Sequence, residues 1–307
     1  MLHAWSSAAY TIPLPAGHRF PIEKYSLLRD RVVAEGIVRP EHLHVPERVA
    51  AIDLDRVHTS AYVAAFTSGT LPAAAQRRLG FPWSPALVER AYRAVGGTVE
   101  SARAALDMGV AMNLAGGTHH AFADRGEGFC VFNDVAIAVR VLQHERRIRR
   151  VAIVDLDVHQ GNGTHAIFAG DPDVFTFSMH GRRNFPFEKV AGSLDVELED
   201  GTGDAEYLAL LGEHLAPALR AAAPDLVCYL AGADPHEGDA LGRLRLTMDG
   251  LARRDAMVLE ACRDVGLPVA ITIAGGYGRD IAATVAIHVN TAKIALRSLE
   301  GLAVRSR

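Results

Sequence analysis

Five short apolar runs alternate with longer stretches of helical spacing, and almost every run ends in a polar cluster. The runs are VAMNLAG (110–116), VAIVDL (151–156), DVFTFSM (173–179), LVCYLAG (226–232) and PVAITIAG (268–275). Each is β-branched or aromatic-rich and bounded by Gly, Pro or Asp, the pattern of a buried strand. Between them, 85–107, 132–148, 204–222, 247–265 and 279–299 carry helical periodicity, the last three rich in Ala and Leu. Such alternation predicts a three-layer α/β fold: a mostly parallel central sheet with helices on both faces. No repeat, low-complexity tract or long linker interrupts the 307 residues, so a single domain over 1–307 is expected. The polar stretch GRRNFPFEKVAG (181–192) reads as a long loop after a strand, a frequent location of function.

Composition removes several classes. With 49% hydrophobic and 22% charged residues the chain is neither disordered nor a membrane protein, and no apolar run is long enough for a bilayer span. The first twenty residues lack the layout of a secretory signal, which makes a cytoplasmic location the default expectation. Cys130, Cys228 and Cys262 are widely spaced with no CxxC, which suggests neither a disulfide framework nor a thiolate zinc site. A net charge of −4 argues against nucleic acid as a partner. The basic cluster ERRIRR (145–150) reads as a solvated helix end.

Ligands of open parallel sheets gather beyond the carboxyl ends of the strands, and here the unusual polar residues collect at that edge. They occur in GGTHHA, DLDVHQGNG, SMHGRRNF, GADPHEGD and GGYGRD, each at or after a strand end. Strand alternation would put Asp155, Asp157 and His159 on one side. Asp157, His159 and Asp234 could converge on one ion, and three protein ligands with an open position is the pattern of a catalytic zinc site, although Fe²⁺ or another divalent ion suits the same donors. Beside a metal, His119 and His120 acquire a task, because a neutral imidazole can take a proton from an attacking water and return it to a leaving amine. Asp155 and Asn162 are available to orient them. Gly275 and Gly276 would bend the chain and leave room at the site, placing the Tyr277 phenol where it can hydrogen-bond an oxyanion. Two motifs are discounted. Gly161 to Ala166 matches GxGxxA, but a pyrophosphate there would meet three acidic or imidazole side chains, so a dinucleotide-dependent oxidoreductase is a weak alternative. NGT (162–164) is a glycosylation sequon without a secretion context, and no GxSxG elbow supports a serine hydrolase.

The segments GGTHHAFADRGEGFCVFNDVAIA, VAIVDLDVHQGNGTHAIF, LAGADPHEGDALG and IAGGYGRD, in this order, resemble the zinc-dependent histone deacetylase family of the arginase-deacetylase fold, most like its class IV branch. The resemblance covers about residues 20 to 295. It implies Asp157, His159 and Asp234 as zinc ligands, His119 and His120 as the tandem histidines, and Tyr277 as the oxyanion tyrosine. It pairs Asp155 with His119 and Asn162 with His120, and places Gly128 and Phe129 along the acyl-lysine channel, with Gly275 and Gly276 at the substrate. Structural potassium in this family implies a second cation at Asp155, Asp157, His159 and Ser178, with Met179 beside it. Many members, notably of class I, carry Asp where this chain has Asn162. The implied activity is removal of acetyl or longer fatty acyl groups from lysine side chains of a protein or peptide. The family also contains acetylpolyamine and small-amide hydrolases. A catalytically silent acyl-lysine binder is disfavoured because every named catalytic position is filled. A dimetal arginase-like enzyme would want a DxHxD run where this chain has DxDxH.

Overall fold

The computed structural model describes the backbone of residues 1–305 and the side chains of residues 1–301. Eight parallel strands form one sheet: β1 (His3–Trp5), β2 (Leu43–His44), β3 (Val110–Asn113), β4 (Val151–Asp155), β5 (Val174–Gly181), β6 (Leu194–Leu198), β7 (Leu226–Leu230) and β8 (Val269–Thr272). Their order is β2-β1-β3-β8-β7-β4-β5-β6. The helices are α1 (Lys24–Ala34), α2 (Ala51–Leu54), α3 (Ser60–Ser68), α4 (Ala73–Leu79), α5 (Pro85–Met108), α6 (Asp134–His144), α7 (Asn162–Ile167), α8 (Asp204–Ala222), α9 (Met248–Asp264) and α10 (Ile281–Arg305).

Alternate strand residues feed two separate cores, which is what makes the molecule three-layered. Val151 and Ile153 of β4, with Leu226, Cys228 and Leu230 of β7, pack against α3, α5 and α6. Ala152 and Val154, with Val227 and Tyr229, pack against α1, α8, α9 and α10. The helix starts are set by local chemistry: Ser84 accepts a hydrogen bond from the Leu87 N–H with Pro85 at the first helical position, Asn133 accepts from Ala136, and Thr247 accepts from Gly250.

All five expected strands and all five expected helices are present. Three short strands, β1, β2 and β6, the amino-terminal helices α1 to α4 and the short α7 were not expected. β4 ends at Asp155, so the turn that follows, and not the expected strand alternation, places Asp157 and His159. The arginines of ERRIRR lie exposed between α6 and β4, while Ile148 among them is buried. Because β7 and β8 insert between β4 and β3, the strand order reverses in the middle of the sheet, and the loops after β3, β4, β7 and β8 meet there at one edge. Among the described residues, no helix is long and apolar enough to cross a membrane.

Candidate active site

Asp157 and His159 follow β4, Asp234 follows β7, and one ligand-type atom from each lies within 4.8 Å of the others. All three are buried. His159 Nδ1 sits between the carboxylates, 2.9 Å from Asp157 Oδ1 and 3.2 Å from Asp234 Oδ2. The backbone holds the remaining oxygens: Gly275 N–H donates to Asp157 Oδ2 at 2.7 Å, and Val158 N–H donates to Asp234 Oδ1 at 2.9 Å. Asp234 Oδ2 is buried, and beyond its ion-pair approach to His159 it accepts no hydrogen bond. Burial and the neighbouring Asp157 charge raise the Asp234 pKa. Burial would lower the His159 pKa, but its two carboxylate neighbours outweigh this and raise it to about 10. Two buried carboxylates around one imidazole, with an oxygen left over, is a donor set that a divalent cation would satisfy.

The tandem histidines approach this cluster from the loop after β3. His119 Nδ1 donates to Asp155 Oδ2 at 2.6 Å, and His120 Nδ1 donates to Asn162 Oδ1 at 2.7 Å. Their environments drive them apart. Burial opposes charge on His119, but Asp155 and Asp157 prevail and raise its pKa to about 9. For His120, burial and then the charges on His119 and His159 push the pKa well below the ordinary histidine value. The surroundings therefore favour the protonated form of one imidazole and the neutral form of its neighbour.

The glycines are needed for space. Gly161 (φ −72°) precedes α7 in ordinary backbone, and a Cβ there would lie 2.6 Å from Asp155 Oδ2. At Gly163 a Cβ would strike the Ala121 carbonyl, which closes the GxGxxA segment against the histidine loop and leaves no cradle for a pyrophosphate. Gly161 and Gly163 thus permit a close approach of the start of α7 to Asp155 and the histidine loop. Gly275 is similar: a Cβ would strike Asp234 Oδ2. Gly276 (φ +143°) turns away from the cavity, its absent Cβ facing Thr284 and His288, so of the two glycines expected at the substrate Gly275 alone lines the cavity.

One cavity joins these groups. His119, His120, Asp157, His159, Gly275 and Tyr277 line it together with Gly128 and Phe129, as do Tyr25 and the apolar residues Ile12, Leu87, Ala91 and Val95. The Tyr277 ring centroid is 6.3 Å from that of His159 and 6.0 Å from that of Phe129. Burial raises the Tyr277 pKa, so the hydroxyl remains a donor. The possible potassium positions are also adjacent: Asp155 and Ser178 are register partners on β4 and β5, Met179 is buried beside them, and Ser178 Oγ is 2.9 Å from His180 Nδ1.

Several contributors were not visible in the sequence. Glu127 Oε1 accepts from Asn162 Nδ2 at 2.8 Å, extending the chain that orients His120. Asp239 Oδ2 accepts the Tyr277 N–H at 2.6 Å. Buried Lys24 Nζ donates to the Ala274 and Gly276 carbonyls, each at 3.3 Å, behind the same turn. Phe185, in the loop after β5, packs edge-on to His120 with ring centroids 4.8 Å apart. The NFPF segment offered a signal for Phe185; the other three depend on contacts between residues far apart in sequence.

A protonated histidine, a neutral one and a phenol around a buried cation-type donor set make up the equipment of a hydrolytic enzyme. The chain belongs to the histone deacetylase family: the family's domain model matches residues 18–292. It is 48% identical over 272 residues to an uncharacterized protein of Picosynechococcus sp., covering 89% of this chain and 91% of that one. It is 34% identical over 278 residues to histone deacetylase 2 of Arabidopsis thaliana, covering 88% and 72%. The fold matches the crystal structure of a histone deacetylase homologue from Aquifex aeolicus with a TM-score of 0.83 at 24% identity, over 98% of this chain and 84% of the other. The architecture is thus the arginase-deacetylase fold, and the protein is a hydrolase of the histone deacetylase family.

Proposed function

We propose that this protein is a zinc-dependent deacylase that hydrolyses the side-chain amide of acyl-lysine, with Asp157, His159 and Asp234 as the metal ligands. The observation that carries the reading is the buried ligand set opening into the same cavity as His119, His120 and Tyr277. When bound, zinc would supply a Lewis acid that polarises the amide carbonyl and acidifies water. His120, held neutral with Nδ1 committed to Asn162, accepts the attacking water's proton at Nε2. The Tyr277 hydroxyl donates to the carbonyl oxygen as it gains negative charge. His119, protonated against Asp155, stabilises that charge, and the departing amine takes its proton from the histidine pair. Phe129 and Phe185 wall the passage for the lysine stem. The apolar residues Ile12, Leu87, Ala91 and Val95 that line the same cavity would receive the acyl group, and a preference for longer chains follows from the class IV resemblance. A potassium ion at Asp155, Asp157, His159, Ser178 and Met179 and a cytoplasmic location belong to the same proposal; among the described residues all three cysteines are free.

The test is a panel of acyl-lysine peptides from acetyl to myristoyl, with an acetylpolyamine alongside, assayed on zinc-reconstituted protein. Turnover of the peptides, highest for a medium or long chain, is expected. Turnover of the acetylpolyamine alone would replace the lysine reading with a small-amide one.

A further inference from the structure

Although the chain as a whole is acidic, the mouth of the catalytic cavity is basic. The outer cavity that opens onto His120, His159 and Tyr277 is bordered by Arg19, Arg78, Arg183 and Arg243, all exposed. The acidic residue lining that rim is Glu127, and its carboxylate is engaged with Asn162. Just outside, Asp200 is shared, 3.1 Å from Arg243 and 3.9 Å from Arg183. Arg19 and Arg78 form no ion pair among the described residues. The four arginines outnumber the carboxylates at the rim, Glu127 and Asp200, so the opening itself is basic. The backbone that carries the rim is held by hydrogen bonds. The Arg78 carbonyl accepts the Gly128 N–H at 3.2 Å, and His18, beside Arg19, is hydrogen-bonded to the Gly80 carbonyl at 2.9 Å. Lys189 Nζ donates to the Asn184 carbonyl at 2.7 Å, tying down the loop that carries Arg183.

We infer that the arginine rim selects acyl-lysines lying in acidic protein segments, and disfavours basic segments and cationic acylated amines. This inference rests on the proposed deacylase reading. A mouth with an excess of one sign of charge raises the local concentration of ligands of the opposite sign, and guanidinium groups pair bidentately with carboxylates. The lysine itself contributes no charge while acylated, so the flanking residues decide the electrostatics.

Three peptides carrying the same acyl-lysine, flanked by aspartates, glutamines or lysines, test this on the zinc-loaded full chain. Both kcat/KM and, by fluorescence anisotropy, Kd are measured. The acidic peptide is expected to exceed the basic one by about tenfold or more at low salt. The ratio should collapse toward one at about 1 M salt, where screening is nearly complete. An acetylated polyamine should rank with the basic peptide. Replacing Arg19→Glu and Arg78→Glu together should abolish or invert the ratio; the salt series on the unmodified protein stands even if that variant folds poorly. Acidic and basic peptides within about twofold of each other in both measurements, while the glutamine peptide is turned over, would overturn this inference and leave the deacylase reading intact. Tighter binding of the acidic peptide without turnover of any would do the reverse.

Discussion

At the scale of single residues, the site depends on two adjacent histidines being different. His119 has carboxylates beside it that favour its protonated form, whereas His120 has an amide partner and, buried beside the charges on His119 and His159, is held toward the neutral form. A base with a depressed pKa remains competent well into the acid range, so the acidic limb of kcat/KM should lie low. Converting Asn162→Asp would set a negative charge on His120, stabilise its protonated form and move that limb to higher pH by roughly one pH unit or more. An unchanged pH–rate profile would refute the role given to Asn162. Tyr277→Phe removes a hydrogen bond that strengthens as the oxyanion forms, so kcat should fall about 10²- to 10³-fold with little change in peptide Kd. Stopped-flow turnover beside equilibrium binding separates these effects. The chemistry-bearing residues were legible in the sequence because they cluster at strand ends in unusual combinations. Glu127, Asp239 and Lys24 were not, since an isolated charged residue in a loop or first helical turn looks like any solvated one.

Between elements, close approach matters more than turn geometry. The loop after β8 comes so near the ligand carboxylates that Gly275 has no room for a methyl group. Gly275→Ala should therefore weaken metal binding by displacing Asp234 and Asp157 before it unfolds the protein. A Co²⁺ titration beside a thermal melt would show a raised Kd with a smaller change in midpoint; normal metal affinity would contradict the proximity argument. The element pattern itself was largely readable, because buried parallel strands are apolar throughout and helices between them carry a single apolar face. What escaped was short. A two-residue strand such as Leu43–His44 has no period to detect, and its existence depends on β1 already lying beside it. Likewise, β4 could be recognised from its apolar run, yet the point at which the chain leaves the sheet, after Asp155, depends on packing against β5 and β7.

For the whole molecule, the ligand set ties the end of β4 to the end of β7, two neighbouring strands that are 70 or more residues apart in the chain. A cation held there binds the folded state and not the unfolded one, so zinc at about 100 times its Kd should stabilise the fold by about 2.7 kcal/mol, and a chelator should lower the melting midpoint. Because His159 holds its proton up to a pKa of about 10, binding must displace it, and affinity should fall as pH falls. The central claim, that this ligand set holds the metal on which amide hydrolysis depends, is tested most directly by measuring metal content and acyl-lysine turnover together in the native chain and in Asp234→Asn. We expect one zinc per native chain, with carboxylate and free lysine released in equal amounts, and loss of both metal and turnover in the variant while its circular dichroism is unchanged. Turnover at the native rate in Asp234→Asn, or in protein stripped of metal, would contradict it.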